Sequence, residues 1–163
     1  MEILIGKLAQ WLMEKQFTLV VAESCTGGML AQQCTSLSGS SKWFECGFVT
    51  YSNASKIRLL GVQADVLDEY GAVSSQVAEQ MAQGALQHSD ANLSIAITGI
   101  AGPDGGNQDK PVGTVFIATF SNHGVKNQPA FVSKFLFKGD RESIRQQACA
   151  AAIEQVMAEM LNA

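Results

Sequence analysis

Histidine, proline and cysteine are all scarce in this chain of 163 residues, with two, three and four copies respectively. The two histidines, His88 and His123, lie in polar stretches, Gln-His-Ser-Asp and Asn-His-Gly. A histidine-built zinc site therefore lacks ligands, and a Ser-His-Asp triad would have to use one of these two. Cys25, Cys34, Cys46 and Cys149 form no CxxC pair and no ladder of metal spacing. The start, Met1-Glu2-Ile3-Leu4, lacks the basic n-region of a signal peptide, so the expectation is a cytoplasmic protein with reduced thiols. Charge is low at 16%, and 11 Lys+Arg face 15 Asp+Glu for a net −4. Without a basic surplus, a sequence-independent grip on nucleic acid is not expected. No apolar run approaches the roughly 20 residues that span a membrane. Repeats, low-complexity tracts and proline-rich linkers are also missing, which argues for one compact domain over residues 1–163.

What is present is a core's worth of apolar residues, 47% of the chain, arranged in alternating patterns. Ile5, Leu8, Ala9 and Leu12 recur at helical spacing, so residues 2–15 are read as a helix. Phe17 to Glu23 is a short β-branched run read as a buried strand, and a polar glycine turn and a helix over Met29 to Thr35 follow it. Gly47 to Ser52 is read as a second strand. Helices are predicted for Asn53 to Leu60, capped by Ser52 or Asn53, for Gln63 to Glu69, and for Ser75 to Gln87. Asn92 to Thr98 is a third strand. Val112 to Phe120 and Ala130 to Phe137 close the sheet as a hairpin turned at Asn122-His123-Gly124. A long last helix follows Asp140, with Ile144, Ala148, Ala152, Val156 and Met160 on one face. This order predicts a three-layer α/β/α sandwich with a mixed sheet of about five strands. Ligands of such sheets sit at the carboxyl ends of strands, where three polar loops fall: Ser24–Gly28, Thr50–Asn53 and Thr98–Gly102.

Each loop offers some chemistry and also an ordinary structural reading. Ser24, Thr26, Gly27 and Gly28 precede a helix whose free N–H groups suit a phosphate or carboxylate, yet Ser and Thr also serve as plain helix caps. A GxxxxGK[ST] loop is missing, so a nucleoside triphosphate site is not supported. Cys25 is read as a small buried hydrophobe rather than a nucleophile. The segment Gly99 to Pro111, with glycines at 99, 102, 105 and 106, would let backbone approach a ligand closely. Ser41, Tyr51 and Lys56 could meet if the loop before the second strand folds over its end, with a buried lysine acting as base where histidine is lacking. Lys56 could equally be a solvated helix residue. Tyr51 and Lys56 are five apart, about 140° around a helix, unlike the Tyr-xxx-Lys pair of short-chain dehydrogenases. With GxGxxG also missing, hydride transfer is rejected.

Taken together, Ala22-Glu23-Ser24-Cys25-Thr26-Gly27-Gly28, Gly39-Ser40-Ser41, Trp43-Phe44, Gly47 to Asn53, Gly71-Ala72-Val73-Ser74, Gly99 to Gly106 and Lys110 to Val115 resemble the CinA C-terminal domain family. The resemblance covers almost the whole chain, with several motifs in fixed order. It implies hydrolysis of the carboxamide of nicotinamide mononucleotide to nicotinate mononucleotide and ammonia, without metal or organic cofactor. It implies a Ser-Tyr-Lys constellation on Ser41, Tyr51 and Lys56, with Ser24 as reserve nucleophile. Substrate contacts are expected from Ser24, Thr26, Gly27, Gly28, Asn53, Thr98, Gly99, Gly102 and Arg141. A homodimer is implied, with Trp43, Phe44 and the last helix as candidate contacts. A catalytically silent nucleotide-binding or regulatory member of the same family is the alternative.

Overall fold

The structure, a computed structural model, describes residues 1–122 and 129–161, with side chains through residue 159. The observed order is α1 (Glu2–Lys15), β1 (Leu19–Glu23), α2 (Met29–Thr35), a 3₁₀ turn (Ser40–Lys42), β2 (Phe44–Val49), α3 (Asn53–Leu60), α4 (Ala64–Tyr70), α5 (Ser75–Gln87), β3 (Leu93–Gly99), β4 (Thr114–Ser121), β5 (Phe131–Leu136) and α6 (Arg141–Leu161). The strands form one sheet in the order β2-β1-β3-β4-β5. β1 pairs in parallel with β2 and β3, whereas β4 is antiparallel to both β3 and β5. The predicted three-layer α/β/α sandwich with a mixed five-stranded sheet is the fold observed.

Side-chain alternation along the central strands makes the two helical layers. Leu19, Val21, Leu93, Ile95, Ile97, Val115 and Ile117 face one side, under α1, α2 and α6. Val20, Ala22, Ala96, Phe116 and Ala118 face the other, under α3, α4 and α5. Strands buried on both faces cannot alternate polar with apolar, which is why β1 reads as a continuous apolar run. Trp43 is 1% exposed inside the first core, and the apolar face of α6 packs on the sheet. Trp43 is thus not available as the subunit contact that the sequence suggested, and the inward face of α6 is taken up by the sheet.

β2 lies three residues earlier than the sequence indicated. A bulge is the cause. Leu19 pairs with Phe44, but Val20 pairs with Cys46, leaving Glu45 as an extra residue. Phe44 therefore packs toward the first core, while Cys46 and Phe48 pack toward the second. Thr50 and Tyr51 have left the strand to approach α3. Of the predicted hairpin turn, residues 123 onward lie outside the described residues, as does the Met160 side chain. No helix among the described residues is long and apolar enough to cross a membrane.

The position of α3 depends on one glycine of α5. A Cβ at Gly84 would lie 1.9 Å from the Leu60 carbonyl oxygen and 2.7 Å from its carbon. Backbone cannot swing away as a side-chain tip can, so Gly84→Ala must push the two helices apart. Overpacking of this kind costs about 1–3 kcal/mol. The unfolding free energy of Gly84→Ala from urea titration is expected to fall by that amount, seen as a lower midpoint with an unchanged slope.

Candidate active site

The parallel strands β1, β2 and β3 end at one edge of the sheet. There the chain leaves β1 toward one layer, through α2, and leaves β2 toward the other, through α3. Such a switch point leaves a crevice between diverging loops. β4 runs the opposite way, with Gly99 beside Val115, so the Gly99–Gly113 loop also lies at this edge. The crevice has a volume of about 260 Å³. Ser24, Cys25, Tyr51, Lys56, Ala72, Val73, Thr98, Gly99, Ile100, Ala101, Gly102, Asp104, Gly105 and Arg141 line it.

Lys56 stands at its base. Ser52 Oγ accepts the Ser55 N–H at 3.1 Å and starts α3, which puts Lys56 and Leu60 on the inward face. The Lys56 side chain is 1% exposed. Its Nζ lies 3.0 Å from Ser24 Oγ, 2.7 Å from the Thr50 carbonyl oxygen and 3.4 Å from the Tyr51 carbonyl oxygen. No carboxylate pairs with it: the one ion pair among the described residues is Arg145 with Glu142, at 3.4 Å. Burial without a counter-charge penalises the ammonium, so Lys56 falls from 10.5 to about 8, against a small opposing pull from Cys25.

Ser24 is placed by the turn after β1. Its N–H donates to the Ile97 carbonyl at 2.9 Å, which ties it to β3. Glu23, fully buried, turns the other way. Its carboxylate accepts the N–H groups of Gly28 at 3.1 Å, Leu30 at 3.1 Å and Ala31 at 2.8 Å. Arg145 Nη2 holds the same turn from α6 by donating to the Thr26 carbonyl at 2.8 Å. Cys25 is 7% exposed, and burial pushes its thiol up to about 11, consistent with a packing role.

Several expectations need correction. Ser41 does not meet Lys56. It is exposed in the 3₁₀ turn before β2, at the amino edge of the sheet, whereas Lys56 is at the carboxyl edge. The six residues of β2 separate the two by about 20 Å. Thr26, Gly27 and Gly28 do not form an anion cradle, because the protein's own Glu23 already occupies the N-terminus of α2. Asn53 is exposed at the start of α3 and lies outside the crevice.

Ser24, Tyr51, Lys56, Thr98, Gly99, Gly102 and Arg141 do converge there. Tyr51 does so in an unexpected way. Its main-chain carbonyl meets Lys56, while its phenol oxygen accepts from Arg141 Nη2 at 3.2 Å. Thr98 Oγ1 donates to the Ala72 carbonyl at 2.8 Å and fixes that wall. The glycines serve self-packing. A Cβ on Gly102, at φ +78, would sit 2.5 Å from Val112 Cγ1, and one on Gly99 would sit 2.7 Å from Val115 Cγ2. His88 Nδ1 is engaged with the Gly84 carbonyl at 2.8 Å and lies outside the crevice; His123 lies outside the described residues. Sequence reasoning missed Glu23 and Asp104 as site residues. The signal for Glu23 was a lone acid ending a buried apolar run directly before a helix.

A three-layer α/β protein with a buried serine–amine pair in a crevice at its strand switch point has the layout of an α/β enzyme. More narrowly, residues 2–160 match the CinA C-terminal domain family, and the chain belongs to it. It is 45% identical over 148 residues to the nicotinamide-nucleotide amidohydrolase PncC of Enterobacter agglomerans, covering 91% of this chain and 88% of that one. It is 51% identical to a CinA-like protein of Geotalea daltonii, but spans only 34% of that longer relative. The solved competence/damage inducible protein CihA of Agrobacterium tumefaciens superposes with a TM-score of 0.91 at 40% identity, covering 96% of this chain and 93% of that one.

Because the folded pKa of Lys56 lies below its unfolded value, the ammonium opposes folding at pH 7. That penalty is fully present below pH 8, shrinks as pH rises from about 8 to 10.5, and is gone above. The shift corresponds to roughly 3 kcal/mol. Relative to Lys56→Met, the wild-type protein is expected to gain about that much stability between pH 7.5 and 10.5, measured by urea unfolding. The difference cancels the titration of the thiols and the other lysines. A flat difference would mean that the amine is solvated.

Proposed function

We propose that the protein hydrolyses the carboxamide of nicotinamide mononucleotide, yielding nicotinate mononucleotide and ammonia. The observation that carries this reading is the buried 3.0 Å contact between Ser24 Oγ and an uncompensated Lys56 amine. The name of the Enterobacter relative supplies the substrate. Ser24 is the nucleophile in this reading and takes the role first given to Ser41.

The geometry suits the chemistry. A neutral amine has two N–H donors and one lone pair. The Thr50 and Tyr51 carbonyls can only accept, so they take the two donors and leave the lone pair for the Ser24 hydroxyl. As Ser24 Oγ bonds to the carboxamide carbon, its proton passes to Lys56 Nζ. The carbonyl oxygen becomes an oxyanion, and the N–H of Cys25, next along the chain, is the main-chain donor that this reading assigns to it. Collapse breaks the C–N bond, and the Lys56 ammonium protonates the departing nitrogen to give ammonia. Water then attacks the Ser24 ester, giving its proton to Lys56, and the second collapse returns that proton to Ser24 Oγ. Arg141, steadied by the Tyr51 phenol and the Gly102 carbonyl, is the cation that this reading assigns to the substrate phosphate.

Ammonia release from nicotinamide mononucleotide by the purified protein tests the reaction. Ser24→Ala is expected to lower kcat by at least about a thousandfold, as for other activated serines. Ser41→Ala should stay within about twofold of wild type, since its hydroxyl is at the far edge of the sheet. The reverse pattern would return the nucleophile role to Ser41.

The pH profile gives an independent check. Since Lys56 must be neutral to act as base, kcat/KM should rise with pH and level off above about 8. A profile flat from pH 6 to 9 would remove Lys56 from the chemistry.

A further inference from the structure

The crevice contains two charged side chains that the amide chemistry leaves unused, Asp104 and Arg141. Asp104 is the only acidic residue on its wall. The two do not pair, since Arg145 with Glu142 is the one ion pair among the described residues. Asp104 is held between two anchors. On one side the Gly102 carbonyl accepts from Arg141 Nη1 at 2.6 Å. On the other, Asn107 Oδ1 accepts the N–H groups of Asp109 and Lys110 at 3.0 and 2.7 Å, and Lys110 Nζ reaches the Tyr70 carbonyl at 2.7 Å.

We propose that Asp104 is a specificity-determining residue, whose carboxylate accepts the 2′- and 3′-hydroxyls of a ribose 5′-phosphate while Arg141 takes the phosphate. This rests on the hydrolase reading above for the identity of the base, but not for the sugar. A carboxylate beside a phosphate site repels the ligand unless it faces neutral donors. A vicinal diol offers two O–H donors at the spacing of one carboxylate. Burial fits this division. The carboxamide must reach the buried Ser24, whereas Asp104 and Arg141 are exposed lining residues, which leaves the sugar and phosphate to the outer part of the crevice. An acidic residue reading the ribose is a recurrent solution in α/β nucleotide sites. Gly105, at φ +92 beside Asp104, leaves that wall without a side chain where the sugar would lie.

Calorimetric binding of methyl β-D-ribofuranoside 5-phosphate and its 2,3-dideoxy counterpart to the full chain tests this. Wild type is expected to prefer the diol by about tenfold or more. Asp104→Ala, a change on an exposed loop, should melt like wild type and bind the two sugars equally. Arg141→Ala should weaken both alike. Equal binding of the two sugars by wild type, discrimination kept by Asp104→Ala, or no binding at millimolar ligand would each overturn the proposal. Ammonia release from nicotinamide mononucleotide is scored separately. Diol preference without ammonia keeps the ribose site and sinks the hydrolase reading, and ammonia without diol preference does the reverse.

Discussion

A lysine amine kept dry is the constraint around which this molecule is arranged. Lys56 Nζ has three polar neighbours, Ser24 Oγ and two main-chain carbonyls, and none of them is charged. Each neighbour comes from a different structural requirement. β1 must end at Glu23 beside β3, so that Ser24 is tied to Ile97. β2 must end at Val49, so that the Thr50 and Tyr51 carbonyls turn toward α3. α3 must lie close on α5, which Gly84 permits. Disturbing any of these lets water reach the amine and restores its ordinary basicity.

The turn carrying Ser24 is stiffened from within. Helix N-termini attract anions, and this one attracts the protein's own Glu23. Three N–H bonds to one buried carboxylate, with Arg145 gripping the Thr26 carbonyl, hold the Ser24–Gly28 arch without involving the ligand. The Ser24 hydroxyl is thus fixed in place by the protein's own contacts, which is the preorganisation that the proposed reaction would use. The charged side chains of the crevice other than Lys56 lie on separate elements, Asp104 in the loop after β3 and Arg141 at the start of α6.

Much of the fold was legible in the residue pattern. Helical periodicity located α1 and α5, because their inward faces are continuous over several turns. The apolar runs of β1 and β3 marked strands covered on both sides. β2 was misplaced because a bulge at Glu45 breaks the two-residue period, and a bulge is a property of the pairing with β1. The site was partly legible. Lys56 was identified, although a lysine on a short helix carries no local sign of burial. Ser24 ranked second to Ser41, a placement that came with the family resemblance, because neither loop serine carries a local sign of which one meets the lysine.

The helix caps, the rough positions of most strands and the chemistry-bearing loops are local properties, and the linear order of amino acids determined them. The scarcity of histidine was equally legible there. Which serine faces that amine was decided only in three dimensions. β1 and β2 are parallel, so the residue after β1 and the residue before β2 lie at opposite edges of the sheet, about 20 Å apart. Parallel pairing thus brings Ser24 to Lys56 across 32 positions of chain and holds Ser41, only 15 positions away, out of reach.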